Sequence, residues 1–204
     1  MDGRPFLDFV LAYLRAQGVR RVVLALGFRA GEVLSRLTPL RGLTVRAVRE
    51  QRPLGTGGAM RNALRRTRSP RLLVMNGDTF APVSVRDLLA AHRTASARVT
   101  LAAVHRRDAG RYGRLSIARG GSVAGFEEKG GARPGWIYAG VGIVDRDVLS
   151  KIPAGRSASF ERDVLPGLVG NGLIAVRERV PFLDIGTPAS YRRAAAFLSA
   201  RGAA

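Results

Sequence analysis

The chain has 204 residues, no cysteine, 46% hydrophobic residues, and 34 Lys+Arg against 15 Asp+Glu for a net charge of +19. Without cysteine there is no disulfide scaffold, no thiolate nucleophile and no sulfur-bound zinc. No apolar run nears the ~20 residues of a membrane span and no secretory signal opens the chain, so the expectation is one cytoplasmic domain with no membrane partner.

Helix and strand patterns alternate from the start. Phe6, Phe9, Val10, Tyr13 and Leu14 recur at helical spacing over Pro5 to Gln17, and Gly18 ends that helix. A strand follows over Arg20 to Leu26, a helix over Ala30 to Leu37, a strand over Leu43 to Val48 and a helix over Gly57 to Arg66. Arg71 to Met75 is a strand ending in Asn76-Gly77-Asp78; Val85 to Ala95 is a helix and Arg98 to Val104 a strand. Four strand signals separated by helices predict a three-layer α/β/α, Rossmann-like, mainly parallel sheet.

The rhythm changes after about residue 105. Two short strands, Arg114 to Ala118 and Ser122 to Phe126, flank an Arg119-Gly120-Gly121 turn. Then come a strand over Trp136 to Val144, helices over Asp147 to Ile152 and Phe160 to Val169, and a strand over Leu173 to Val180. A closing helix spans Pro188 to Ala200, with Thr187 as its N-cap. The whole of 1–204 thus reads as one domain, with an α/β part over about 1–105 and an extension of the same sheet with a smaller substrate-facing part over about 106–204.

Three segments can carry chemistry. Glu50-Gln51-Arg52-Pro53-Leu54-Gly55-Thr56-Gly57-Gly58-Ala59 lies between a strand and a helix, where glycines admit a ligand close to backbone and a helix start offers N–H donors. It is neither a Walker A loop nor a GxGxxG fingerprint, and a Gly-rich turn there also has a purely structural reading. Asn76-Gly77-Asp78 ends an apolar strand, the place where parallel α/β sheets bind ligands, and its carboxylate suits a hard cation; a turn-capping aspartate is the plainer alternative. Asp184 stands among the apolar residues of Phe182-Leu183-Asp184-Ile185-Gly186, where burial is costly unless something pairs with it. The excess charge points less clearly. Lysine occurs only at Lys129 and Lys151, and the arginines are scattered along the chain with no nucleic-acid recognition motif, which argues against a nucleic-acid partner.

Together and in this order, the three segments resemble the sugar-phosphate nucleotidyltransferases, the NDP-sugar pyrophosphorylases. The resemblance is strongest to the branch that guanylylates D-glycero-D-manno-heptose 1-phosphate, whose Glu-x-x-Pro-Leu-Gly-Thr-Gly-Gly-Ala segment matches Glu50 and Pro53 to Ala59. Gly110-Arg111-Tyr112-Gly113, Phe126-Glu127-Glu128-Lys129, Ala139-Gly140 and Ser159 to Pro166 agree in register. The resemblance implies transfer of a nucleoside monophosphate, GMP from GTP, to a sugar 1-phosphate with release of pyrophosphate. Two anions must meet in that reaction, so positioning and charge neutralisation dominate. By resemblance Asp78 and Asp184 would be catalytic and hold Mg²⁺. Glu50, Pro53, Leu54, Gly55, Thr56, Gly57, Gly58, Asn76 and Gly77 would bind the nucleotide. Gly113, Glu128, Lys129, Ala139 and Gly140 would bind the sugar, with Lys129 meeting its phosphate. A carboxylate at Glu50 suits the adjacent N1–H and N2–H₂ donors of guanine, although the neighbouring Gln51 would suit uracil or thymine. Mannose or glucose 1-phosphate is the alternative acceptor.

The resemblance breaks at the N-terminus. Family members open with a strand, a Gly-Gly-x-Gly-Thr-Arg loop that cradles the triphosphate, and a Lys-Pro dipeptide. Here Met1 to Leu7 aligns with the segment just after them. The preferred explanation is a misplaced start or a fragment; a non-catalytic nucleotide-sugar-binding or regulatory homologue, and a partner that supplies the loop, are the others. Without the first strand its neighbours would expose unpaired edges, so the expectation for this chain is poor solubility or self-association with little activity.

Overall fold

The computed structural model describes residues 5–127 and 133–199. Helix α1 (Phe6–Ala16) buries Phe6, Phe9, Val10, Leu11 and Leu14 along one side. It stops at Gly18, whose φ of +85° lets Val19 N–H reach back to Leu14 C=O at 3.0 Å. Strand β1 (Arg21–Leu26), helix α2 (Ala30–Ser35) and strand β2 (Thr44–Arg49) follow, and β1 pairs with β2 in parallel. Helix α3 (Gly55–Ala63) continues as a 3₁₀ turn to Arg66 and leads to β3 (Arg71–Met75). A two-residue strand β4 (Thr79–Phe80) precedes helix α4 (Val85–Thr94), which is capped by Ser84 Oγ accepting from Asp87 N–H at 3.2 Å. Strand β5 (Val99–Arg106), the hairpin β6 (Arg114–Ile117) and β7 (Val123–Glu127), and the long strand β8 (Gly135–Asp145) come next.

Helix α5 (Arg146–Ser150), β9 (Leu173–Glu178), β10 (Leu183–Asp184) and α6 (Pro188–Ser199) complete the chain. The helix expected over Phe160 to Val169 is split into a π turn, Phe160–Val164, and a 3₁₀ turn, Pro166–Leu168. Pro166 has no N–H to return to the preceding turn. Thr187 does cap α6: its Oγ1 accepts from Ser190 N–H while Ser190 Oγ accepts from Thr187 N–H, both at 3.1 Å.

The main sheet has the order β3-β8-β5-β9. It is α/β and mainly parallel in strand direction, as expected, with one reversal: β3, β5 and β9 point the same way, while β8 is antiparallel to both β3 and β5. The physical reason is the connection. From β5 the chain reaches β8 through the β6–β7 hairpin, with no crossover helix to carry it back to the starting side. Side chains alternate across β3, with Leu72 and Val74 joining the core under α3 and α5 while Leu73 and Met75 face the opposite side. There α4 covers Ala102, Val104, Ile137 and Val141, and α1 packs with Phe80, Leu183 and Ala194. Helices on both faces make the three layers. Among the described residues no helix is long and apolar enough to cross a membrane.

Candidate functional site

The segment after β3 is held by β8. Asn76 N–H donates to Gly140 C=O at 2.8 Å, and Thr79 Oγ1 lies 3.4 Å from Ala139 C=O. The β8 backbone departs from regular pairing at this point: Leu101 opposes Gly142 and Ala103 opposes Tyr138, so Ala139 to Val141 face the single residue Ala102. Such bulges re-aim the backbone. Gly140 sits in it at φ +73°, where a Cβ would meet Asn76 Nδ2 at 3.0 Å and collide with Thr79 Oγ1. Glycine is required there on both counts. The structure thus brings four of the sequence-predicted residues, Asn76, Gly77, Ala139 and Gly140, to one place.

The two aspartates meet through the β4–β10 ladder. Asp184 is the register partner of Thr79, and Ile185 N–H donates to Asp78 C=O at 2.8 Å. Asp78 is exposed, whereas Asp184 is partly buried and heavily engaged. Its Oδ2 accepts from Tyr112 Oη at 2.6 Å, its Oδ1 accepts from Gly186 N–H at 2.6 Å, and Arg111 Nη2 stands 3.6 Å away. Burial alone would raise the Asp184 carboxyl. The Tyr112 and Gly186 hydrogen bonds, with the charges of Arg111 and Arg106, outweigh it and hold the group below its ordinary value. Its own burial, with the same contact, pushes the Tyr112 phenol up to about 12. Gly113 follows at φ +60°.

Tyr112, Arg111 and Arg106 are neighbours of Asp184 that the sequence did not single out. The signal was present: Arg111 and Tyr112 lie in the quoted Gly110 to Gly113 segment, but nothing local joins it to Asp184, 72 positions on.

The Gly-rich segment behaves differently. Gly57 and Gly58 N–H groups both donate to Ala158 C=O, at 2.8 and 3.2 Å, and Phe160 N–H donates to Thr56 Oγ1 at 2.8 Å. A Cβ on Gly55 would lie 2.6 Å from Ala158 O, and one on Gly58 2.6 Å from Arg156 O. The expectation of free N–H donors at the start of α3 is therefore corrected for Gly57 and Gly58. These glycines let the 153–160 segment dock against the turn, and their donors are spent on it. Leu54 is buried and Pro53 exposed in the preceding bend. Glu50, at the end of β2, uses Oε2 to accept from Leu54 N–H at 3.2 Å; Oε1 has no hydrogen bond among the described residues. Glu128 and Lys129 lie outside the described residues.

Asp184 on β10, ordered by its surroundings, and Asp78 in the turn leading into β4, exposed, offer hard oxygen donors suited to a cation that keeps several waters and phosphate ligands. Asp78 and Asp184 therefore fit Mg²⁺. The described residues contain no group of three or more His, Cys, Asp or Glu poised for a metal, which excludes an all-protein cage among them but not a two-carboxylate site.

Comparison with known proteins places the fold in a family. The model of the family described as "Nucleotidyl transferase" matches residues 1–201. D-glycero-alpha-D-manno-heptose 1-phosphate guanylyltransferase of Aneurinibacillus thermoaerophilus is 32% identical over 196 residues, covering 95% of this chain and 85% of that protein. Mannose-1-phosphate guanylyltransferase of Mycobacterium tuberculosis is 33% identical over 202 residues, 96% of this chain but only 56% of that protein. The crystal structure of HddC from Yersinia pseudotuberculosis superposes with a TM-score of 0.85 at 30% identity, over 95% of this chain and 85% of that one. The same protein complexed with GMP-PN gives 0.84.

Proposed function

This chain belongs to the nucleotidyl transferase family, and from that premise we propose that it is an enzyme transferring GMP from GTP to a sugar 1-phosphate, with D-glycero-α-D-manno-heptose 1-phosphate as acceptor and pyrophosphate as co-product. The observation that carries the reading is the Asp78–Asp184 pair, held across the β4–β10 ladder beside the Asn76–Gly140 contact, in a chain 32% identical to a heptose 1-phosphate guanylyltransferase. The HddC neighbour complexed with GMP-PN supports the choice of guanine, as does the free carboxylate oxygen of Glu50.

Mechanism follows from charge. Bound Mg²⁺ would neutralise phosphate oxygens as the sugar phosphate approaches the α-phosphorus. Asp78 and Asp184 would hold it. Tyr112 and Gly186 keep the Asp184 carboxylate ionised and fixed in orientation, which reduces reorganisation during transfer. With no side chain at Gly140, Asn76 and Thr79 pack directly against the bulge, which would fix Asn76 and the Ala139–Gly140 backbone beside the sugar. Lys129 would meet the sugar phosphate and Glu128 its hydroxyls.

A second acceptor, mannose 1-phosphate, is favoured by the 33% identity to the Mycobacterium tuberculosis enzyme. The test is pyrophosphate release with Mg²⁺, each of GTP, UTP and TTP, and each of the two sugar phosphates, with the product identified by mass. The expected product is GDP-heptose. Release with UTP or TTP equal to that with GTP would overturn the base assignment, and preference for mannose 1-phosphate would overturn the acceptor.

A further inference from the structure

Phe28 is 92% exposed, far more than any other large hydrophobic side chain among the described residues. A single apolar residue at a surface is ordinary; the setting of this one is not. Gly27-Phe28-Arg29 is the turn at the carboxyl end of β1. Arg29 closes it at φ +55°, a left-handed conformation that costs a non-glycine residue free energy. Two contacts hold it there: Glu32 N–H donates to Arg29 C=O at 3.0 Å, and Arg29 Nε donates to Glu32 Oε1 at 2.7 Å. Backbone strain of this kind gathers at ligand sites, and here it stands next to a ring presented to solvent.

Glu50 stands beside that turn. Leu26 and Arg49 are the last register pair of β1 and β2, and Glu50 N–H donates to Leu26 C=O at 2.8 Å. A Cβ on Gly27 would lie 3.9 Å from Glu50 Oε2, and Phe28 is the next residue along. The two strands are parallel, so both segments lie beyond strand carboxyl ends, where α/β sheets take ligands. A carboxylate reads a base along its edge, in the plane of the ring, and leaves both ring faces bare. An aromatic side chain covers a face, and does so for any base. We propose, resting on the guanylyl-transfer reading above, that Phe28 is the stacking platform for the nucleotide base, its ring against the face of the guanine whose edge Glu50 reads. Base recognition then divides in two: Glu50 discriminates between edges, and Phe28 supplies strength.

The experiment follows binding of GTP with Mg²⁺, by calorimetry and by fluorescence, in the wild type and in Phe28→Ala, Phe28→Tyr and Phe28→Trp. Trp136 is the single native tryptophan, so titration of the wild type gives its response, which is subtracted. Phe28→Ala weakens GTP binding by about tenfold or more, with melting unchanged because an exposed ring adds little to the core. Phe28→Tyr binds as the wild type does. GTP quenches the Phe28→Trp fluorescence. Inorganic tripolyphosphate, which has no base, quenches nothing and is bound equally by the wild type and Phe28→Ala. Unchanged GTP affinity in Phe28→Ala overturns the proposal and leaves guanylyl transfer standing, as does Phe28→Trp fluorescence that bound GTP does not move. A loss in Phe28→Ala shared equally by tripolyphosphate puts the effect at the phosphates or in the fold, and overturns the stacking role too. Loss of self-association in Phe28→Ala with GTP affinity intact assigns the ring to a contact between copies and overturns it equally. A folded wild type that binds no GTP overturns the guanylyl-transfer reading itself, and the platform with it.

Discussion

The two strand systems of this molecule contrast in how complete they are. β5 is paired on both sides and six consecutive residues, Val99 to Val104, are buried. β1, of similar apolar character, is paired on one side and fully buries only Leu24. The difference lies in the neighbours rather than in the strand, because a parallel-type strand gains its burial from a partner on each edge and a helix on each face. The carboxylate pair sits where the two systems meet: Asp78 follows β3, which is paired on one edge only, and β8 fixes the backbone beside it.

Leu101→Ala is expected to break the complete system most. Leu101 is fully buried, and emptying its site should cost about 3 kcal/mol in urea unfolding. Leu24→Ala, on the half-paired β1, should cost less than half as much, since its surroundings can collapse inward.

Gly140→Ala attacks the joint between β8 and the site. Positive φ and the collision with Thr79 Oγ1 should together cost about 2 kcal/mol, read by thermal melting, with transfer lost beyond what stability explains.

Much of the fold could be read from the residues, and the reasons are local. Gly18 and Thr187 mark helix ends through bonds within a few positions. What could not be read depends on distant partners. The direction of β8 follows from a hairpin excursion, β4 and β10 exist only through each other, and the Asp184–Tyr112 bond joins residues far apart in sequence. The Gly-rich segment shows the limit from the other side. Its glycines were conspicuous, but Ala158, which explains Gly55, Gly57 and Gly58, carries no sequence signal of its own.

Tyr112→Phe sharpens the site half of the contrast. Losing one hydrogen bond to a carboxylate should reduce transfer by about tenfold with little change in melting. In the intact protein the Asp184 carboxyl is held low, so it remains ionised as pH falls. In the variant it protonates at higher pH, and the acid limb of the pH–rate profile should move up.

Glu178→Gln should have the smallest effect. Burial, together with the nearby Asp87 charge, raises the Glu178 carboxyl. The folded state therefore binds its proton more readily than the unfolded state, gains stability as pH falls through the raised value and is penalised above it. Removing the charge should stabilise the protein at pH 7 by about 0.5 kcal/mol or less after solvent screening, and flatten the acid-side pH dependence of unfolding.

The most direct measurement compares pyrophosphate release from GTP and heptose 1-phosphate by the wild-type chain and by the Asp78→Asn, Asp184→Asn double variant, each checked by melting. The account predicts weak but Mg²⁺-dependent release by the wild type and a further loss of at least about 10²-fold in the folded double variant. Equal release by both, or no release by a wild-type protein that binds both substrates, would contradict it.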